Sequence, residues 1–270
     1  MLNIISGDLY RLRKSKSVVI SLAVMVVVTL FSYIMMDWAL KVASGESYNA
    51  AGALHVTVDN EFMTITAVDM IESTVSSKYF TVIFAIFTCV WITGEFSCGA
   101  IKNIVGKGCQ RCKVFLAKYI TAVGIVFAMS VISYIVAVLA GMLLVGTEGV
   151  NAAFCVDVLK YVGVQLINFM AYAGIIVTVS EFVRSMMAGI IVSVIIEFFS
   201  MKLFGVIDSI LSIVGIEFKV SGYWVIGNMW ECFVGDIDAA LAMRSVFVAV
   251  FWIAVSLALG MWHFKSTDVK

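Results

Sequence analysis

The sequence predicts an all-α polytopic membrane protein with six transmembrane helices and both termini on the cytoplasmic side. Three observations carry that fold class. The 270 residues are 62% hydrophobic and only 13% charged, with a mean hydropathy of +1.06. Soluble domains carry about 25% charged residues, so this chain has too little polar surface to face water all round. Apolar runs long enough to cross a bilayer recur along the chain, and the basic residues collect in alternate connecting segments. The absence of proline suits long uninterrupted helices.

The elements follow in order. In residues 1–17, Leu2, Ile5, Leu9 and Leu12 recur at helical spacing among Arg11, Arg13, Lys14 and Lys16. That spacing predicts an amphipathic interfacial helix on the membrane surface. Residues 18–36 form the first span, longer than the roughly 7–15-residue core of a signal peptide, and so read as an uncleaved helix. Residues 37–78 carry Glu46, Asp59, Glu61, Asp69 and Glu72 and predict an external loop holding a hairpin or short helix. The second span covers 79–93, a cytoplasmic insert 94–118, and the third span 119–145. After a short external connection come the fourth span at 159–179, a brief turn, and the fifth at 186–204. Residues 207–244 are apolar but interrupted by charges and glycines, which predicts external re-entrant or interfacial helices with Tyr223, Trp224 and Trp230 at headgroup depth. The sixth span covers 245–262.

Charge sets the orientation. With the N-terminus inside, the cytoplasmic segments hold 12 of the 18 basic residues and only 4 of the 18 acidic ones. Lys and Arg bias of this kind directs topology, so both ends of the chain are placed inside. The zero net charge offers nothing to nucleic acid. Cys109 and Cys112 make one C-x-x-C, but no second pair or nearby His completes a zinc site, and the six cysteines read as reduced thiols.

The insert at 94–118 is the polar centre of the chain. Phe96, Ala100, Ile101, Ile104 and Val105 fall on one helical face, with Glu95, Gly99, Lys102, Asn103 and Gly106 on another. This predicts a short amphipathic helix closed near Gly106–Gly108. Arg111, Lys113 and Lys118 then open the third span and are expected to snorkel to the phosphates. Two readings follow: a solvated basic turn anchoring two helices, or a docking helix presenting charge to a soluble partner.

Glu95, Gly99, Lys102-Asn103, Gly106, Gly108, Arg111 and Lys118, with DLYRLRKSKS ahead of the first span, resemble the ABC-2 type permease family. The order of elements is similar over nearly the whole chain. The resemblance implies the type V (ABCG-like) exporter fold, two permease subunits pairing, and each docking a cytosolic ATPase through the 94–118 coupling segment. It implies no cofactor on this chain, with ATP and Mg on the partner ATPase. The subgroup it resembles includes bacterial plasma-membrane permeases for bacitracin and lantibiotic immunity, which implies export of an antimicrobial peptide. Cys98, Cys109 and Cys112 depart from the family's small or polar residues.

Two further places carry polar groups. Glu197 lies near the middle of the fifth span, and Gly189, Ser193, Glu197 and Ser200 form one helical stripe. Gln165, Asn168 and Tyr172 form a similar stripe on the fourth span. These faces are expected to meet each other, a twin subunit or a water-filled path. Glu197 is then a hydrogen-bonded packing residue, a pathway-lining residue or an ion-coupling one. Glu181 and Arg184, at i and i+3, predict an exposed pair or a secondary docking point. His55 and His263 are expected on opposite sides of the membrane. No G-x-x-x-x-G-K-[ST] occurs, so the chain is not expected to hydrolyse ATP itself. An ion-gradient transporter working through Glu197 and a non-transporting sensor of an external peptide are the two alternatives.

Overall fold

A computed structural model describes residues 2–43, 67–106, 109–144, 146, 150–216, 218–235 and 237–266. All its regular elements are helical: α1 Leu2–Lys14, α2 Lys16–Ala43, α3 Ala67–Val75, α4 Tyr79–Ser97, α5 Ala100–Gly106, α6 Arg111–Leu144, α7 Ala152–Val183, α8 Met186–Ile213, α9 Val225–Glu231 and α10 Ala239–Ser266, with one 3-10 turn at Ser221–Tyr223. Six stretches are long and apolar enough to cross a membrane: Lys16–Met36, Val68–Ser97, Arg111–Leu144, Ala152–Val183, Met186–Ile213 and Ala239–Ser266.

The helices run further than the apolar runs alone predict. The first span is helical through Ala43 and the fifth through Ile213, so residues 207–213 continue a long helix instead of starting a re-entrant segment. The predicted external loop is likewise helical at both ends, because α3 occupies Ala67–Val75. Hydropathy windows stop where charges begin, whereas a helix continues while its backbone hydrogen bonds are made. Glu46, His55, Asp59, Glu61 and Gly108 lie outside the described residues.

Helix α7 is the central post, packed against α4, α6, α8, α9 and α10. Its buried face carries Tyr161, Gln165, Asn168, Phe169 and Tyr172, and Phe84, Tyr134 and Phe169 meet around it as an aromatic cluster. Helices α2 and α8 sit outside. Helix α8 buries only Gly189, Ser193 and Glu197 and turns Ile191, Ile195, Phe198 and Leu203 outward. Small and polar inside with apolar outside is the arrangement hydrocarbon solvent favours.

Helix α9 is wedged into the bundle. Val225, Ile226, Asn228 and Met229 are fully buried, held where Asn228 Nδ2 donates to Asn168 Oδ1 (3.0 Å) and Ser245 Oγ (2.7 Å), and Gln165 Nε2 donates to the Met229 carbonyl (3.0 Å). The polar stripe of the fourth span therefore meets α9 and α10, while Glu197 meets α4. The two stripes touch where Tyr172 lies against Glu197. Gly227 allows this entry, since a Cβ there would strike the Ser221 carbonyl.

Helix α1 corrects its predicted face. Leu12 is buried but Leu9 is half exposed, and the inward row is Ile4, Asp8 and Leu12, packed on α6. The acidic residue, not the leucines alone, selects the face.

Candidate functional site

At one end of the bundle the chain makes a tight excursion between two spans. Helix α4 ends where the Cys98 N–H reaches the Gly94 carbonyl at 3.0 Å and the Gly99 N–H reaches the Phe96 carbonyl at 3.2 Å. Gly99 has φ +70, the left-handed conformation that lets a helix close without a Cβ penalty. Glu95 and Phe96 thus belong to the last turn of α4 and do not share a helix with Ile101. The chain restarts as the seven-residue α5, with Ala100 and Ile101 buried, Ile104 and Val105 packed on the core, and Asn103 and Gly106 exposed. The Lys102 side chain lies outside the described residues. Arg111 opens α6 and donates to the Lys265 carbonyl in the last turn of α10 at 3.4 Å, a cation at a helix C-terminus.

Ile101 seats α5 where four spans converge, against Ile92 and Phe96 of α4, Phe115 of α6, Val177 of α7 and Phe264 of α10. The gap left among them is only about 10 Å³. Phe96, Phe115 and Phe264 approach as rings 5.9–6.4 Å apart. Movement of α5 therefore presses directly on α4 and α6, and reaches α10 through the contacts of Phe96 and Phe115 with the Phe264 ring.

Two ionic clusters flank this seat. In the first, Lys118 Nζ of α6 lies 2.5 Å from Asp8 Oδ1 of α1 and 2.5 Å from Glu95 Oε2 of α4, with Arg11 3.9 Å from the same Glu95 carboxylate. Lys118 is 3% exposed and its ammonium also sits over the Trp91 ring. The expectation that Lys118 snorkels to lipid phosphates is overturned: two carboxylates inside the bundle outcompete the interface. Glu95 is likewise turned inward. Lys118 is thus paired inside the bundle with two buried carboxylates, and the exposed Arg11 adds a second cation at the edge of the cluster.

In the second cluster, Glu181 Oε1 of α7 lies 2.9 Å from His263 Nδ1 of α10 and 3.6 Å from Arg184 Nη2. Glu181 is 1% exposed, which overturns the expected exposed pair. Arg184 caps α7 in the left-handed conformation, φ 52, with its N–H on the Ser180 carbonyl at 2.9 Å. That bend folds its guanidinium over Phe96, 5.3 Å from the ring centre, and so links α7 to the end of α4.

Neither Asp8 nor His263 is marked by the sequence as a member of an ionic cluster. Asp8 is the one acid in the basic N-terminal helix, set between Ile4 and Leu12 at i±4, and that placement was its only signal. Distant from both clusters, Glu197 Oε1 lies 2.5 Å from Thr81 Oγ1 on α4, and Glu197 is 7% exposed.

No curated protein matches the chain at a significant level. The family model described as ABC-2 family transporter protein matches residues 4–200, from the N-terminal helix through the fifth span and across the whole of the α4–α5–α6 excursion. With 197 of its 270 residues inside that match, the chain belongs to the ABC-2 transporter family and is a multi-pass membrane component of an ABC transporter.

Proposed function

We propose that this chain is the permease subunit of an ATP-driven exporter of the type V (ABCG-like) architecture, inserted with both termini in the cytoplasm of a bacterial cell. Two such permeases pair, each docking a cytosolic ATPase through α5 and its flanks. ATP and Mg are held by the ATPase. Its closure on nucleotide pushes α5, and α5 transmits the push to α4 and α6, and through them to α10, as a rigid lever. The seating of Ile101 at the convergence of α4, α6, α7 and α10 is the observation that carries this reading. Lys102 and Arg111 supply charge to the ATPase, while Gly99 and Gly106 set the ends of the lever. Glu95 and Lys118 support it from behind by tying α4 and α6 to α1. Glu181 and Arg184 brace the neighbouring end of α7 against α10.

The exported substrate is an antimicrobial peptide of the bacitracin or lantibiotic kind. Its path runs between the paired subunits; Gln165, Asn168, Ser193 and Glu197, expected to line it, are instead buried within one subunit's bundle and serve as packing groups there. Co-purification in a mild detergent tests the reading. A soluble P-loop ATPase encoded beside this chain is expected to come down with it and to lose that association when α5 is replaced by a glycine-serine loop. An intact association after that replacement would refute the lever.

A further inference from the structure

At the end of the bundle opposite α5, the turn between α3 and α4 and the chain leaving α9 border an open chamber of about 550 Å³. Its floor is Lys78, only 7% exposed. The ammonium donates to the Tyr161 hydroxyl at 2.8 Å and to the Cys232 carbonyl at 3.2 Å, and lies 5.0 Å and 5.5 Å from the centres of the Tyr161 and Phe233 rings. Each of those contacts is to a neutral group, and among the described residues no carboxylate comes within 4 Å of it. Lys118, the other deeply buried lysine described, instead meets two carboxylates, Asp8 and Glu95. An ammonium has three N–H donors, and two are used. A buried cation with a spare donor, facing a cavity, is a receptor for an anionic group.

The walls narrow the class of ligand. Trp230 and Phe233 are each about half exposed and present apolar faces. Ser73 Oγ donates to the Met70 carbonyl at 3.0 Å and Ser77 Oγ to the Thr74 carbonyl at 2.6 Å, so each hydroxyl has spent its proton and offers only lone pairs to the chamber. Asp69 and Glu72 add carboxylates to the rim. The lining therefore sets the Lys78 ammonium and the Trp230 indole N–H beside two carboxylates and two acceptor hydroxyls. The end of a peptide brings a carboxylate to the first set and backbone N–H donors and basic side chains to the second, whereas a phosphocholine headgroup carries no N–H donor for the second.

We infer that this chamber binds the carboxyl-terminal end of a basic peptide, the terminal carboxylate on Lys78, the apolar side chains between Trp230 and Phe233, and a basic side chain toward Asp69 and Glu72. The assignment rests on the exporter reading only for placing the chamber outside the cell. Binding is measured without any ATPase, so it fails or stands independently of the lever.

The test uses the full chain in phosphatidylcholine nanodiscs and isothermal titration with the tripeptide Lys-Leu-Phe, as the free acid and as its carboxyl-terminal amide. The free acid is expected to bind at least tenfold more tightly than the amide. Lys78→Met brings the acid down to the affinity of the amide, while Lys78→Arg keeps the preference. Trp230→Ala and Phe233→Ala, at half-exposed positions, weaken both forms alike. Equal affinity for acid and amide in the unaltered protein overturns the assignment, as does a preference that survives Lys78→Met. Displacement of the tripeptide by short-chain phosphocholine at equal concentration also overturns it, since the chamber is then a headgroup site. If Lys78→Met does not fold, the comparison of acid and amide in the Lys78→Arg and Trp230→Ala proteins decides the matter.

Discussion

Lys118 Nζ on α6 lies 2.5 Å from Asp8 Oδ1 on α1, across 110 residues of sequence. The same ammonium holds Glu95 at the end of α4, so one lysine ties the N-terminal helix to both spans that flank α5. Pairing inside the bundle fixes the N-terminal helix to the end that carries α5, where under the proposed mechanism it would brace the lever from behind. A free amphipathic anchor would not have that role.

Removing one member of a buried ionic cluster leaves the others desolvated and uncompensated. Lys118→Met is expected to destabilise the protein by roughly 3–5 kcal/mol, because it strands two carboxylates. Asp8→Asn costs less, since the amide oxygen still accepts a hydrogen bond from the lysine. The double variant is expected to be less destabilised than the two losses added together. Thermal unfolding in detergent, followed by circular dichroism, reads all three. Additive losses would mean that Asp8 and Lys118 do not act as a pair.

Reversing charge at Lys102 and Arg111 together is expected to abolish export while leaving membrane insertion and the ATPase's own basal hydrolysis intact. Both positions belong to the excursion between α4 and α6 that carries α5. The measurement is substrate efflux from cells set against nucleotide hydrolysis by the isolated ATPase. Wild-type efflux from the double variant would remove these charges from the docking surface.

The number of spans and the existence of α5 were legible because both are written in local periodicity: apolar runs of sufficient length, and an i, i+1, i+4, i+5 apolar face closed by glycine. The inward turn of Lys118 was not legible. A lysine near the start of an apolar run reads as an interfacial anchor until a carboxylate is known to lie beside it, and nothing near residue 118 names Asp8. Glu181 was misread for the same reason, since its partner His263 is 82 residues away. The break at Gly99 was misplaced because Glu95 to Gly106 can be drawn on one helical wheel. Only the left-handed glycine divides it in two.

Glu197 makes a proton-counting prediction. Thr81 Oγ1 lies 2.6 Å from the Lys78 carbonyl and 2.5 Å from Glu197 Oε1, yet a hydroxyl has a single proton to donate. Both contacts are satisfied when Thr81 donates to the carbonyl and Glu197 donates to Thr81 as a carboxylic acid. Glutamine also carries a donor there, so Glu197→Gln is expected to preserve folding and export. Glu197→Leu leaves the Thr81 oxygen without its donor and is expected to cost roughly 1–3 kcal/mol. Efflux that collapses in Glu197→Gln, and in the unaltered protein when the ion gradient is dissipated, would instead favour an ion-coupled mechanism.

Close approach of α8 to α4 depends on Gly189, where an added Cβ would meet Cys89 Sγ. Gly189→Val is expected to push α8 off α4 and lower the melting temperature. Gly163→Ala is the control. A Cβ at Gly163 meets nothing within 4 Å, and replacing a mid-helix glycine with alanine is expected to stabilise α7 by roughly 0.5–1 kcal/mol. Equal melting temperatures for both variants would mean that the α4–α8 contact contributes little.

Orientation is decided by two exposed thiols at opposite ends of the bundle. Cys98 sits in the turn before α5, and Cys155 lies in the first turn of α7. In single-cysteine variants, a membrane-impermeant maleimide is expected to label Cys155 in intact cells and Cys98 only after permeabilisation. The variant that keeps Cys232 alone is the control. Burial pushes its thiol up from the ordinary range, so at neutral pH it holds less thiolate than a free cysteine and is expected to stay unlabelled in both conditions. Labelling of Cys98 in intact cells would put α5 outside, beyond reach of a cytosolic ATPase, and with it the lever would lose its driver.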